Sequence, residues 1–420
     1  MKISRTTVAT IALSLLVCQP VSADTPSAFG SGFDLQDFFK PFTLDEITPE
    51  NQQQWPYYRH VSAHWDEYSI HGTAKIERSA NPTELQQGER LDLNSEFQDG
   101  QSFIESLQAT QTKGFVVVQD NTILVEFYDN GFNVGDTNLL QSAAKTFAGV
   151  VTHQLIDQSL LDANAKVENY LEDFEGTAMG AATVQQVLDM TSGIPTLLDF
   201  HTPGEPGQLW EIEIGLQGGK ATGHRNAIKS TAAEAKPGEA WNYTDMNTDT
   251  LALLAESVSG KKYPQLLSEL FDAFGSNHGG SIALTSDGTT SPSYGISISA
   301  RDYALFHQWI AQGKAPKSYY ASALDTSKTK FGENEIAAIL GEDIIYGSQS
   351  YYLKDDDVLF SSGSFGQVGY SDLKTGVAVA FLQDWAVNAE LDKFFATRDR
   401  ALAIIHYLRN KSNIEEGRTF

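Results

Sequence analysis

Two β-branched and aromatic runs lie close together in "GFVVVQDNTILVEFYDNGF" (114–132), separated by Gln119-Asp120-Asn121. Residues of those types fit a pleated strand, and Asp and Asn tolerate turn conformations, so the segment reads as a hairpin. After Gly135-Asp136-Thr137 the period changes. Ala144, Phe147/Ala148, Val151 and Leu155 recur at helical spacing, which predicts an amphipathic helix over 142–158. Helical patterns dominate 165–275, in "TVQQVLDM", "DTLALLAESVSG" and "YPQLLSELFDAF", with one helix expected to start near Thr248. Strand patterns return in "VLFSSGSFGQVGYSD" (358–372) and "GVAVAFLQDW" (376–385). A closing helix over about 390–410 places Leu391, Phe394/Phe395, Ala401, Ile404/Ile405 and Leu408 on one side. Strands, helices, strands, helix: the order predicts an α+β fold, an antiparallel sheet flanked by terminal helices with a mainly helical subdomain inserted. Residues 24–104, rich in Gln, Asp, aromatics and turn formers, read as an N-terminal extension packed on the main body. The domain itself is expected over 105–410. Its sheet parts are 105–140 and 290–410, its helical part 141–289, and 411–420 forms a tail.

The first 23 residues carry Lys2 and Arg5, an apolar run Val8–Val17 and a small-residue site at Val21-Ser22-Ala23. This pattern is a signal peptide cleaved after Ala23, too short for a bilayer helix, and it predicts a periplasmic or secreted protein with no stable membrane insertion. The sole cysteine, Cys18, lies within it, preceded by a valine that fits a lipoprotein box poorly. A chain cleaved after Ala23 would hold no cysteine, which excludes disulfides and thiol chemistry. Losing the leader's two positive charges takes the formal net charge from −25 to −27. Such a surface disfavours nucleic acid and anionic lipid as partners. The sequence sets no oligomeric state.

The chemistry turns on a serine. No G-x-S-x-G occurs, so a nucleophile elbow is unsupported. S-x-x-K occurs at Ser142/Lys145, Ser259/Lys262, Ser327/Lys330 and Ser371/Lys374. Only Ser142 stands at the start of an amphipathic helix directly after a hairpin. There Lys145, three residues on, shares its face, and free N–H groups favour a developing oxyanion. Lysine is a weak base at its ordinary pKa, so a second proton carrier is expected. Tyr243 in "PGEAWNYTDMNTDTLALL" (237–254) is a candidate, with Asp245 and Asn247 beside it; a half-buried structural aromatic is the plainer reading of Tyr243. Nine histidines show no metal-binding spacing, His60, His64 and His71 form no tight set, and no metal or cofactor is implied.

"SAAK", "VQQVLDMTSGIP" (184–195), "PGEAWNYTDMNTD" and "YGISISARDYALFHQWI" (294–310) occur in the order of the β-lactamase-related serine hydrolases. That family spans class C β-lactamases, DD-peptidases, family VIII esterases and 6-aminohexanoate-dimer hydrolases, and the chain most resembles the last branch over roughly 105–410. The resemblance implies a small-molecule amide or ester as substrate. It implies Ser142 as nucleophile, Lys145 and Tyr243 as proton carriers, and the N–H groups of Ser142 and of Ser364 in "SGSFGQ" as oxyanion hole. Asp245 stands where the family has Asn or Ser, adding negative charge near Lys145. Asp245, Asn247, Tyr351 and Tyr352 are the implied substrate-binding positions; sheet packing is the alternative for the two tyrosines. The family's cationic residue is missing from the strand before Gly366, which reads only "LFSSGSFG". A β-lactamase or DD-peptidase is therefore the lesser reading, beside a catalytically inactive binding or sensor protein. Lys374-Thr375-Gly376 spells the missing triplet, but its position predicts a hairpin turn far from Ser142.

Overall fold

The computed structural model describes residues 41–88, 91, 103–197, 199–200, 202–328 and 344–417. The signal-peptide reading of 1–23 lies outside them. An eight-stranded sheet runs in the order β2 (Gln86–Gln87), β4 (Thr122–Tyr128), β3 (Thr112–Gln119), β12 (Ala378–Gln383), β11 (Gln367–Asp372), β10 (Val358–Gly363), β9 (Ser350–Leu353), β8 (Ile344–Gly347). Every pairing is antiparallel except the two-residue β2–β4 contact. The hairpin read from 114–132 is β3–β4, and Asp120 and Asn121 turn it at φ 49° and 59°.

Side chains alternate across a strand, and the alternation sorts the core. Val116, Val118, Leu359, Ala378 and Ala380 face one layer, built from helices α1 (Lys145–Asp157), α3 (Asp245–Ser259) and α4 (Ala300–Ala311). Phe115, Val117, Phe360, Val379 and Phe381 face the other, where α5 (Leu391–Gly417) buries Phe394, Ala401, Ile404, Ile405 and Leu408. The sheet is thus covered by helices on both faces, and the mixed α+β architecture is the one expected. The closing helix matches the spacing read from 390–410 and extends further.

A second sheet has the order β1 (Thr73–Ile76), β6 (Gly280–Ala283), β7 (Ile296–Ser299), β5 (Thr137–Leu139). Its strands are three or four residues long, so no run of alternation was available to announce them. β1 belongs to the N-terminal segment and pairs with β6 at Thr73↔Ala283, and Gln52 Nε2 donates to Leu216 O at 3.0 Å. The segment is thereby joined to the rest of the fold by backbone and side-chain bonds.

The 371–379 stretch is a turn. Lys374-Thr375-Gly376 connects β11 to β12, Gly376 has φ 73°, and the Lys374 N–H donates to Asp372 Oδ1 at 3.0 Å. Gln367, at the opposite end of the hairpin, is the end that neighbours Ser364. The triplet serves backbone geometry.

Candidate active site

β5 pairs with β7, and the chain then enters a 3₁₀ turn, Gln141–Ala144, before α1 begins at Lys145. Ser142 therefore sits in a tightened lead-in turn, not in the helix proper as its periodicity suggested. Ala143 and Ala144 are fully buried and keep the turn close to the body. Gly149, one turn into α1, lets the helix approach the β8–β9 turn; a Cβ there would stand 2.2 Å from Ser348 O. Ser142 is half-buried, while Lys145 is 1% exposed.

Burial of an ammonium is costly unless every N–H is satisfied. Lys145 Nζ has three acceptors: Ser142 Oγ at 3.1 Å, Asp245 Oδ1 at 2.6 Å and Ser293 O at 2.7 Å. Asp245 is the first residue of α3, whose helix start is thus three residues earlier than Thr248. A carboxylate at a helix N-terminus is favoured by the backbone dipole. One turn further along α3, buried Asp249 accepts from the Ser293 N–H at 3.1 Å, from Ser291 Oγ at 2.8 Å, and lies 2.9 Å from His224 Nε2. This set fixes the carbonyl on which Lys145 rests.

Tyr243 stands beside Ser142 and Tyr351, and Lys145 Nζ lies 4.8 Å from its ring centroid. Burial, reinforced by Asp245, holds its hydroxyl well above the ordinary phenol value, so it rests protonated. The loop that carries it is held by the "DMTSG" turn. Asn242 N–H donates to Met190 O at 2.8 Å, Gly238 N–H to Thr191 O at 2.7 Å, and Glu234 N–H to Gly193 O at 2.9 Å. Two sequence blocks about fifty residues apart are thereby one structural unit. Trp241, Tyr346 and Tyr351 complete an aromatic wall: Tyr346 lies 6.0 Å from Tyr243 and 4.8 Å from Tyr351, centroid to centroid.

β10 ends beside the lead-in turn. A Cβ on Gly363 would stand 2.2 Å from Leu140 O and 3.1 Å from Ser142 N, so only glycine permits the approach. Ser364 follows directly and is half-buried. Gln141, just before Ser142, has φ 52°, and Phe365, just after Ser364, has φ 61°. Left-handed backbone at non-glycine residues costs on the order of 1 kcal/mol or more each and persists only where neighbours hold it.

The structure gathers Ser142, Lys145, Tyr243, Asp245, Tyr351 and the Gly363-Ser364 corner. It does not bring Asn247 or Tyr352 to them, which corrects two substrate-binding expectations. Asn247 is fully buried with its Nδ2 3.3 Å from Met190 Sδ, because α3 begins at Asp245 and turns position 247 into the core. Tyr352 follows Tyr351 on β9 and so points to the opposite face, where its hydroxyl donates to Asp357 Oδ1 at 2.9 Å. Sequence reasoning missed Ser293, which acts through a carbonyl that any residue type carries. It also missed Asp249, whose spacing of four from Asp245 was a legible signal. Glu211, on α2 (Pro206–Ile214), was missed as well. Burial, eased by a Gln217 donor and reinforced by Asp245, pushes its carboxyl up to about 8. Among the described residues no group of three or more His, Cys, Asp or Glu is gathered to hold a metal ion, and no helix is long and apolar enough to cross a membrane.

The sequence model of the Beta-lactamase family matches residues 139–403, which hold every residue of the cluster. The 6-aminohexanoate-dimer hydrolase of Paenarthrobacter ureafaciens is 28% identical over 273 residues, 64% of this chain and 68% of that protein. A Bacillus anthracis structure assigned to the 6-aminohexanoate-dimer hydrolases superposes with a TM-score of 0.77 at 20% identity, covering 88% of this chain and 99% of its own. A family VIII carboxylesterase structure superposes at 0.56 with 17% identity, covering 73% and 95%. These structural likenesses concern the fold.

Proposed function

The chain belongs to the Beta-lactamase family, and on that premise we propose that it is an exported serine hydrolase cleaving an amide or ester bond through an acyl-Ser142 intermediate. The observation that carries this reading is Lys145 Nζ, buried and 3.1 Å from Ser142 Oγ, with the Tyr243 ring centroid 4.8 Å from the same Nζ. Ser142 Oγ attacks the acyl carbon and passes its proton to Lys145 in the fraction of molecules whose Nζ is neutral. Tyr243 gives its proton to the leaving nitrogen or oxygen and regains one from Lys145, so one proton leaves with the product and the one taken from serine replaces it. Water then attacks the acyl-enzyme by the same route in reverse. The N–H groups of Ser142 and Ser364 receive the tetrahedral oxygen; one such donor is commonly worth about 10²–10³ in rate. The aromatic wall at Tyr351 and Trp241 suits an apolar acyl or leaving chain. The named relative is a 6-aminohexanoate-dimer hydrolase, and an amide or ester of similar bulk is the substrate class we assign here. Export rests on the leader, residues 1–23.

A second reading, a retired site kept for binding or sensing, has one specific support: the Lys145–Asp245 ion pair at 2.6 Å, which occupies the Nζ that catalysis would need. Hydrolysis of short p-nitrophenyl esters decides between them. Turnover by wild type that Ser142→Ala abolishes supports the enzyme; equal traces from both proteins support the retired site. A β-lactamase or DD-peptidase has less support, since β10 offers serine and glycine where those enzymes carry lysine or histidine.

A further inference from the structure

Tyr58 touches both of the strained residues that bracket the two oxyanion donors. It lies on the short helix Tyr58–Val61 of the N-terminal segment and is 1% exposed. Its ring stacks on Phe365, centroids 3.6 Å apart at 23°, and its hydroxyl oxygen accepts from Gln141 Nε2 at 3.2 Å. Gln53 Oε1, five residues earlier, accepts from the same Nε2 at 3.1 Å. Phe365 is pinned from its other side, with its N–H to Asn388 O at 2.8 Å and its carbonyl accepting from Trp385 N–H at 3.2 Å. The family match begins at residue 139, so Tyr58 and Gln53 lie outside the stretch that defines the family.

Gln141 and Phe365 each hold a left-handed backbone that non-glycine residues adopt only under constraint. The direction of the Ser142 N–H depends on the peptide that Gln141 contributes, and the corner at Ser364 depends on the turn that Phe365 makes. One rigid aromatic side chain braces both. We propose that Tyr58 is a positioning residue for the oxyanion hole: the N-terminal segment sets the spacing of the Ser142 and Ser364 N–H groups by clamping Gln141 and Phe365. The inference rests on the serine-hydrolase reading. It adds that residues 53–58 act on the transition state through their neighbours without touching substrate.

A double-variant cycle tests it, with ester hydrolysis as the readout. Tyr58→Phe keeps the stack and removes the acceptor; Gln141→Met removes the donor at similar length. Each is expected to lower kcat by about three- to tenfold with KM within about twofold, since a misdirected donor is felt in the transition state. The double variant is expected to fall no further than the worse single, the mark of one shared contact. Tyr58→Leu, which loses the stack as well, should fall by more than Tyr58→Phe. Should Tyr58→Leu fail to fold, the Phe and Met variants still decide the matter. Unchanged kcat in Tyr58→Phe and Gln141→Met, losses that multiply in the double variant, or a change in KM alone overturns the clamp while the wild type goes on acylating at Ser142. A wild type that never acylates at Ser142 overturns the hydrolase reading itself, and the clamp with it.

Discussion

The Nζ of Lys145 lies 2.6 Å from Oδ1 of Asp245, closer than the 3.1 Å that separates it from the hydroxyl of Ser142. The lysine that should receive the serine proton is therefore tied first to a carboxylate. The carboxylate and the hydroxyl compete for the same Nζ, and the carboxylate holds it by the shorter contact.

Replacing that charge with a neutral amide of the same shape should free the base. Asp245→Asn is expected to raise the rate of ester hydrolysis severalfold, since Nζ loses the ionic partner that competes with Ser142 Oγ. Steady-state rates between pH 5 and 10 measure this. A rate that stays unchanged, or falls, would show that Asp245 does not restrain Lys145.

Glu211 gives a stability prediction with a defined sign. Its carboxyl is raised from 4.5 to about 8 in the folded protein, chiefly by burial. The unfolded chain ionises it near its ordinary value. Between those pH values the folded state holds the extra proton, so stability is greatest below about 4.5 and declines as pH rises toward 8. Glu211→Gln mimics the protonated form and removes that decline. The gap in thermal midpoint, variant minus wild type, should grow steadily from pH 5 to pH 8 and level off above it. A gap independent of pH would contradict the buried-acid account.

Lys374 gives a negative control. Its triplet is the β11–β12 turn, with Gly376 at φ 73°, so Lys374→Ala should leave kcat/KM on every hydrolysed substrate within about twofold, as for a surface change away from the site. A large loss, on a cephalosporin in particular, would place that lysine in recognition after all.

The elements with a long period were open to reading from sequence: the β3–β4 hairpin, α1, α3 and α5 all follow from alternation or helical recurrence. The second sheet was not, because three- and four-residue strands such as Thr137–Leu139 carry too few positions to show a period. In the site, Ser142, Lys145 and Tyr243 were legible as side-chain chemistry in ordered blocks. Asn247 and Tyr352 were misplaced for one reason: a helix start three residues earlier, or a one-residue step along a strand, reverses where a side chain points. Ser293 and Tyr58 were invisible, since one works through its carbonyl and the other arrives from more than eighty residues upstream of Ser142.

The central claim is a covalent bond to Ser142, and intact mass spectrometry reads it directly. The protein is incubated with a fluorophosphonate and, separately, with a slowly turned-over p-nitrophenyl ester, then digested to locate the adduct. A single adduct on the peptide containing Ser142, absent from Ser142→Ala, is the result predicted. No adduct with either reagent, or the same adduct in wild type and Ser142→Ala, would contradict it.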